Sequence, residues 1–307
     1  MKTLLITGGN GLLGTKLLTA ASERYHLVSL DLQEETVLRT VDLRYIRADI
    51  TDRTTIRNAI LDAGPDGVIH TAAYTHVDGC ETDSDRAHAV MVDGTRHVAE
   101  ACREAGARMI HLSTDYVFDG TSGPYGEEDT TNPLSAYGRF KLESEQIVLD
   151  TLEDLAVVRT MVLYGFAPDV RDNFATWLVR ALQNGEAVTI VTDQTGHPTL
   201  VDDLAAACLV LFEKKAKGIF HAAGSQWMSR FDFAILLAGV FGLDPSLIGQ
   251  TTTDRLRQSA SRPLVSGLKT DKIRKAFGVR FSTCEEGLRI MKRQMEEAGA
   301  FRGAAYG

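Results

Sequence analysis

A strand that runs directly into spaced glycines and then into a helix constrains this chain more than any other stretch. In residues 2–18, KTLLITGGNGLLGTKLL, Leu4, Leu5 and Ile6 form an unbroken apolar run, as a parallel strand covered on both faces would. Gly8, Gly11 and Gly14 follow, and Leu12, Leu13, Leu17 and Leu18 recur at helical spacing. The glycines therefore fall where a strand turns into a helix. A side chain at Gly8 would obstruct the turn, one at Gly11 would hold a pyrophosphate off the backbone, and one at Gly14 would keep the helix from closing on the strand. The free N–H groups of the helix start favour phosphate. A second apolar run, Leu27-Val28-Ser29-Leu30, ends at Asp31, where a carboxylate can accept both ribose hydroxyls of an adenosine. The pattern predicts a dinucleotide site containing Gly8, Asn10, Gly11, Leu12 and Asp31. NAD(H) is expected over NADP(H), because the charge on Asp31 repels a 2′-phosphate.

The chain has 307 residues, enough for a nucleotide-binding unit plus a smaller substrate-binding part. The expected division is 1–165 for the first, with strands contributed from about 186–224, and 166–307 mainly for the second, the two interleaved. Hydrophobic residues make up 44% and charged residues 24%, a balance that supports a packed core rather than disorder. A net charge of −8 argues against broad nucleic-acid or anionic-membrane binding. Cys80, Cys102, Cys208 and Cys284 are too scattered for a metal-ligand spacing or a disulfide scaffold, so no metal is expected and a reducing cytoplasm fits. No leader or membrane-length apolar run is legible.

Alternating strand and helix patterns continue along the chain and predict an α/β fold, a doubly wound parallel sheet of Rossmann type. A short strand over residues 44–48 leads to Asp49-Ile50, with Asp49 placed to reach an adenine amino group, and Thr51 or Asp52 caps a helix running to Ala63. Val68-Ile69-His70 opens into Thr71-Ala72-Ala73, where small residues let backbone lie against a cofactor, and Thr75 follows. A long helical pattern covers residues 85–105. The strand Met109-Ile110-His111-Leu112 then delivers Ser113-Thr114 to the carboxyl end of the sheet, where open α/β sheets bind ligands. Later patterns predict a strand over Val188–Val191 returning to the sheet, a helix over residues 201–215, a further short strand over residues 218–222, and helices over Arg230–Phe241 and residues 270–277. The tail from Arg293 is expected to be poorly ordered at its end.

Tyr137 and Lys141 stand four apart on one face of a helix that begins near Ala136. A phenol with a reference pKa of ~10 exchanges protons near neutrality only with help from a neighbouring cation. Lys141 is spaced to give that help, and Thr114 can bind a carbonyl oxygen in the same space.

TGGNGLLG, STDYVF and YGRFK together resemble the extended short-chain dehydrogenases/reductases. HTAAYTHVDGCE, STDYVFDG, NPLSAYGRFKLESE, VVRTMVLYG, GHPTLVDDLA and RPLVSGL resemble the dTDP-4-dehydrorhamnose reductase group. The resemblance implies catalytic roles for Thr114, Tyr137 and Lys141, a hold on the nicotinamide ribose for Tyr137 and Lys141, and a sugar-nucleotide site lined by His76, Tyr116, Asn173, His197 and Arg262. It implies an NAD(P)H-dependent reduction of a 4-keto-6-deoxy sugar nucleotide. The likeness has gaps: Val162 stands where many relatives have tryptophan, Lys16 where some have a metal-binding glutamate, and Val265 where an asparagine is usual. Two other readings stay open, a sugar-nucleotide epimerase or dehydratase and a non-catalytic NADP-binding subunit like the one that regulates methionine adenosyltransferase. The oligomeric state also stays open, a homodimer being one option.

Overall fold

The computed structural model describes residues 1–301. Its core is a seven-stranded, wholly parallel sheet built from β1 (Lys2–Thr7), β2 (Tyr25–Asp31), β3 (Arg44–Arg47), β4 (Gly67–His70), β5 (Arg108–Thr114), β6 (Leu155–Thr160) and β11 (Gly218–His221), in the order β11-β6-β5-β4-β1-β2-β3. The order reverses between β1 and β4, the position at which doubly wound sheets open a ligand crevice beyond their carboxyl ends.

Both faces of the sheet are covered, which is why β1 reads as a continuous apolar run. Leu4 and Ile6 face one layer, made by α1 (Leu12–Ala21) and α8 (Val201–Glu213), with Leu17, Leu18, Leu204, Cys208 and Phe212 packed against them. Leu5 faces the other, made by α2 (Arg53–Ala63), α5 (Gly94–Ala105) and α6 (Ala136–Thr151), where Ile56, Ile60, Val98, Cys102 and Val148 meet. Truncating one of these leucines to alanine would cost about 2–5 kcal/mol. All four cysteines are buried free thiols, Cys102 and Cys208 serving as core apolar groups.

The helical pattern over residues 85–105 is not one regular helix. α4 (Ser84–His88) passes through a π-helical turn, Ala89–Asp93, into α5, and is preceded by a short α3 (Val77–Thr82) that periodicity missed. The π turn packs on α6, the helix that carries Tyr137.

The C-terminal part has its own core around α7 (Phe174–Gln183), α9 (Arg230–Phe241) and α11 (Cys284–Glu297). Helix α10 (Asp271–Phe277) instead lies against β11. Three two-stranded ladders complete the fold: β7 (Leu163–Tyr164) with β10 (Thr199–Leu200), β9 (Thr195–Gly196) with β12 (Met228–Ser229), and β8 (Val188–Val191) with β13 (Ile248–Thr251). The expectation that Val188–Val191 rejoins the main sheet is thus incorrect. Its apolar register is satisfied by β13 and α9 instead, and of the region 186–224 only β11 enters the main sheet. The tail from Arg293 begins within a helix. Arg293 lies inside α11, whose start carries a capping box between Thr283 and Glu286, and Phe301 is buried against Phe241. The end of that tail, residues 302–307, lies outside the described residues. Among the described residues no helix is long and apolar enough to cross a membrane.

Candidate active site

The first wall of the crevice is the glycine turn. Gly8 adopts φ +70°, and a Cβ there would lie 2.8 Å from the Ala72 nitrogen, so the turn and the segment after β4 touch backbone to backbone. A Cβ on Gly14 would stand 2.2 Å from the Gly8 carbonyl oxygen, so only glycine lets α1 start this close to β1. Gly11 caps α1 with no side-chain hydrogen bond, leaving the first-turn N–H groups around Leu12 without intrahelical acceptors. An open cradle floored by glycines and ending in free N–H groups fits the pyrophosphate of a dinucleotide.

Asp31 closes the adenosine end. Its Oδ2 accepts from the Asn10 N–H at 3.0 Å and its Oδ1 from the Gln33 N–H at 3.2 Å, and among the described residues no Lys, Arg or His pairs with it. The Asn10 side chain is spent on structure. Its amide donates to Glu35 O at 2.8 Å and Gln33 Oε1 at 3.1 Å, and it accepts from Val37 N–H at 3.0 Å, so Asn10 shapes the turn rather than offering its side chain to a ligand. Asp49 accepts from the backbone and hydroxyl of Thr51, a turn that precedes the Asp52 cap of α2, and Ile50 is buried. Ala73 is half-buried and Thr75 exposed on the chain leaving β4.

The second wall is the carboxyl end of β5. Thr114 is its last residue, and its hydroxyl donates to Asp115 Oδ1 at 3.2 Å and accepts from Tyr116 N–H at 3.2 Å. The Tyr116 and Tyr137 rings meet edge to face with centroids 5.4 Å apart. Tyr137 sits at the start of α6, whose N-terminus is held by the Ser135 hydroxyl and by Glu81 of α3, which accepts from Ala136 N–H at 2.8 Å. Burial pushes the Tyr137 phenol well above its ordinary pKa, Tyr116 and Asp115 push the same way, and the neighbouring Thr114 hydroxyl opposes them. Asp115, buried and hydrogen-bonded to Ser266 Oγ at 2.6 Å, is itself pushed up to about 6 by burial. Thr114, Tyr116 and Tyr137 are therefore brought together as one cluster.

Lys141 is one helical turn below. It is buried, its Nζ donates to the Leu112 carbonyl at 3.0 Å, and burial lowers its pKa to about 8 while Glu145 pulls upward. Its charge is felt at the stacked imidazoles of His70 and His111. Both imidazoles are held neutral chiefly by burial. His70 bridges Thr7 Oγ1 (2.7 Å) and Thr95 Oγ1 (3.1 Å), and His111 meets Ser144 Oγ at 3.0 Å. Glu145 in turn grips Arg159 through Nε at 2.9 Å and Nη2 at 2.7 Å and accepts from the Ser113 hydroxyl. Sequence reading did not find this support, because its members lie on β5, α6 and β6.

The remaining residues expected at a sugar-nucleotide site are more dispersed. Arg262 is locked to Asp78 of α3 through Nη1 at 2.8 Å and Nη2 at 2.6 Å and also donates to Ala260 O. Its charge is met within the protein, and it holds the Asp78 carboxyl below the usual range. His76 immediately precedes α3. His197 accepts from Leu268 N–H at 3.2 Å and packs edge to face on Trp227, with burial lowering its pKa. Asn173 is the capping residue of α7: it accepts from Ala175 and Thr176 N–H and donates to Gly165 O at 2.8 Å, on the wall of a cavity of about 380 Å³ away from Tyr137.

A smaller cavity lies against the cluster, lined by Asp115, Tyr116, Val162, Gln194, Arg230 and Ser266 among others. Val162 has φ +43°, a left-handed conformation that a β-branched side chain resists, so strain is concentrated at this edge of the cavity. Lys16, at the other departure, pairs with Asp202 at 3.0 Å and Gln294 at 2.9 Å, tying α1 to α8 and α11. No cluster of metal-ligating side chains occurs among the described residues.

Residues 1–297 match the family model described as RmlD substrate binding domain. A probable low-salt glycan biosynthesis reductase of Haloferax volcanii is 34% identical over 94% of this chain and 96% of its own length. The dTDP-4-dehydrorhamnose reductase of Aggregatibacter actinomycetemcomitans is 33% identical over 96% of this chain and 100% of its own. Among solved structures, dTDP-4-dehydrorhamnose reductase from Bacillus anthracis in complex with NADP superposes with a TM-score of 0.86 at 29% identity, over 95% of this chain and 99% of that one.

Proposed function

Because this chain belongs to the RmlD substrate binding domain family, we propose that it is a nicotinamide-dependent reductase that acts on the keto carbon of a 4-keto-6-deoxy sugar nucleotide, with Tyr137 donating the proton. The observation that carries this reading is the Thr114–Tyr116–Tyr137 cluster at the end of β5, two strands from the Gly8 turn at the same edge of one sheet. The chemistry matches the names carried by full-length relatives.

In this reading the free first-turn amides from Leu12 onward hold a pyrophosphate over the turn formed by Gly8, Asn10 and Gly11, and Asp31 holds the adenosine ribose. Asp49 and Ile50 lie at the adenine, Ala72, Ala73 and Thr75 line the path inward, and Tyr137 and Lys141 meet the nicotinamide ribose. The bound nicotinamide supplies the hydride. Thr114 and Tyr137 hold the substrate's carbonyl oxygen between two hydroxyls, and Tyr137, kept protonated by burial, passes its proton to that oxygen as charge develops there. A positioned proton donor of this kind accounts for about 10²–10⁴ in rate.

A 4,6-dehydratase would need an additional acid and base beside the tyrosine. Here the strand end reads Thr114-Asp115-Tyr116, and the phenol in the third place is pushed by burial further from neutrality. Tyr116 is a hydrogen-bond donor to a sugar oxygen rather than a base. A turnover screen of 4-ketohexose nucleotides with NADH and NADPH tests the proposal: oxidation of the cofactor in step with loss of the ketone is expected, and inertness toward every such substrate would overturn it.

A further inference from the structure

Two arginines border the Tyr116 side of the crevice, and they are in opposite states. Arg262 is neutralised by Asp78 through two hydrogen bonds. Arg230, the first residue of α9, has its backbone N–H fixed to Gln194 O at 2.9 Å, and its guanidinium lies over the Phe174 ring at 5.3 Å from the centroid. Among the described residues its guanidinium has no carboxylate or carbonyl partner, although it lines the cavity shared with Asp115, Tyr116 and Ser266. A guanidinium steadied on an aromatic face keeps its in-plane donors available for an oxyanion.

Position gives the anion's identity. Tyr116 stands between Arg230 and Tyr137, with its ring against the Tyr137 ring, and the positive charge of Arg230 is felt at both Tyr116 and Asp115. On the other side Phe174, which carries Arg230, directly follows Asn173 on the wall of the 380 Å³ cavity. Arg230 thus lies between the place where a sugar ring would react and a cavity of about 380 Å³ that could take a nucleoside. In a sugar nucleotide, the diphosphate occupies that intermediate position.

The geometry points to Arg230, rather than Arg262, as the residue that binds the substrate's diphosphate. This rests on the sugar-nucleotide reading given above. Charge-assisted, two-pronged hydrogen bonding to phosphate is the task for which a planar, unpaired guanidinium is suited.

Calorimetric titration with dTDP and with thymidine, on the full chain and its Arg230→Met and Arg230→Lys variants, tests the assignment. Arg230→Met is expected to weaken dTDP about 10-fold or more, on the scale of a lost charged hydrogen bond, with Arg230→Lys falling between and thymidine and NADH binding unchanged in all three. Unchanged NADH affinity in the variants separates a lost phosphate contact from a damaged fold. If Arg230→Met binds dTDP like the parent while Arg262→Met does not, the assignment is overturned and the functional proposal stands. If the parent fails to bind dTDP, UDP or GDP, both fall together.

Discussion

Glu145 and Arg159 form a buried two-pronged ion pair, 2.9 and 2.7 Å, one helical turn beyond Lys141 on the helix face that presents Tyr137 and Lys141. Both are almost wholly removed from water, and the Ser113 hydroxyl fills a further acceptor site on the carboxylate. Such a pair adds little net stability compared with apolar packing, but removing one partner strands the other charge in a dry interior. Glu145→Ala is therefore expected to destabilise the protein by about 3–5 kcal/mol, measured by denaturant unfolding. A loss below about 1 kcal/mol would mean that water reaches Arg159.

Lys141 is predicted to set the alkaline limit of activity. Burial brings its pKa down to about 8, so its ammonium is lost as pH rises through that value, and turnover should fall with it. The stability effect has the opposite sense. The folded pKa is lower than the unfolded one, so between about 8 and ~10.4 the unfolded chain binds more protons, and the penalty for burying Lys141 as a cation fades as pH rises through that window. Initial rates from pH 6 to 10 for the parent and Lys141→Met check this, with the variant expected to be slow and to lack that limb.

Tyr137→Phe removes the donor while keeping the ring that packs on Tyr116. Turnover is expected to fall by about 10² or more with cofactor affinity retained. Equal rates in the two proteins would require another proton source.

NADH is expected to bind more tightly than NADPH. Among the described residues the Asp31 carboxylate at the end of β2 is paired with no cation, although its register neighbour on β3 is Arg47, which pairs with Glu34 at 3.1 Å. Fluorescence titration of both cofactors decides the point. A preference for NADPH would place Arg47 on the phosphate, and Arg47→Ala would then reverse it.

Features set by neighbours in the chain were legible in the sequence. The glycine turn, the strand ending at Asp31, and Tyr137 with Lys141 one helical turn apart each follow from local spacing, and the structure forms each element there. Helix α11 was missed, although Thr283 and Glu286 form a capping box ahead of the apolar series Leu288, Met291 and Met295, because the charged run around it masked the signal. Val188–Val191 shows the limit of periodicity, which identifies a strand but not its partner. The pairs that define the electrostatics, Asp78 with Arg262 and Glu145 with Arg159, join separate elements, and no local pattern indicates that one arginine is neutralised while Arg230 is left free.

Isotope transfer tests the central claim most directly. Incubation with a 4-keto-6-deoxyhexose nucleotide and NADH deuterated at the nicotinamide C4 should place one deuterium on the sugar's C4, with one NADH oxidised per ketone lost. Recycling of the cofactor during dehydration of a hexose nucleotide, with no net oxidation and no deuterium at C4 of a reduced product, would contradict the reductase assignment.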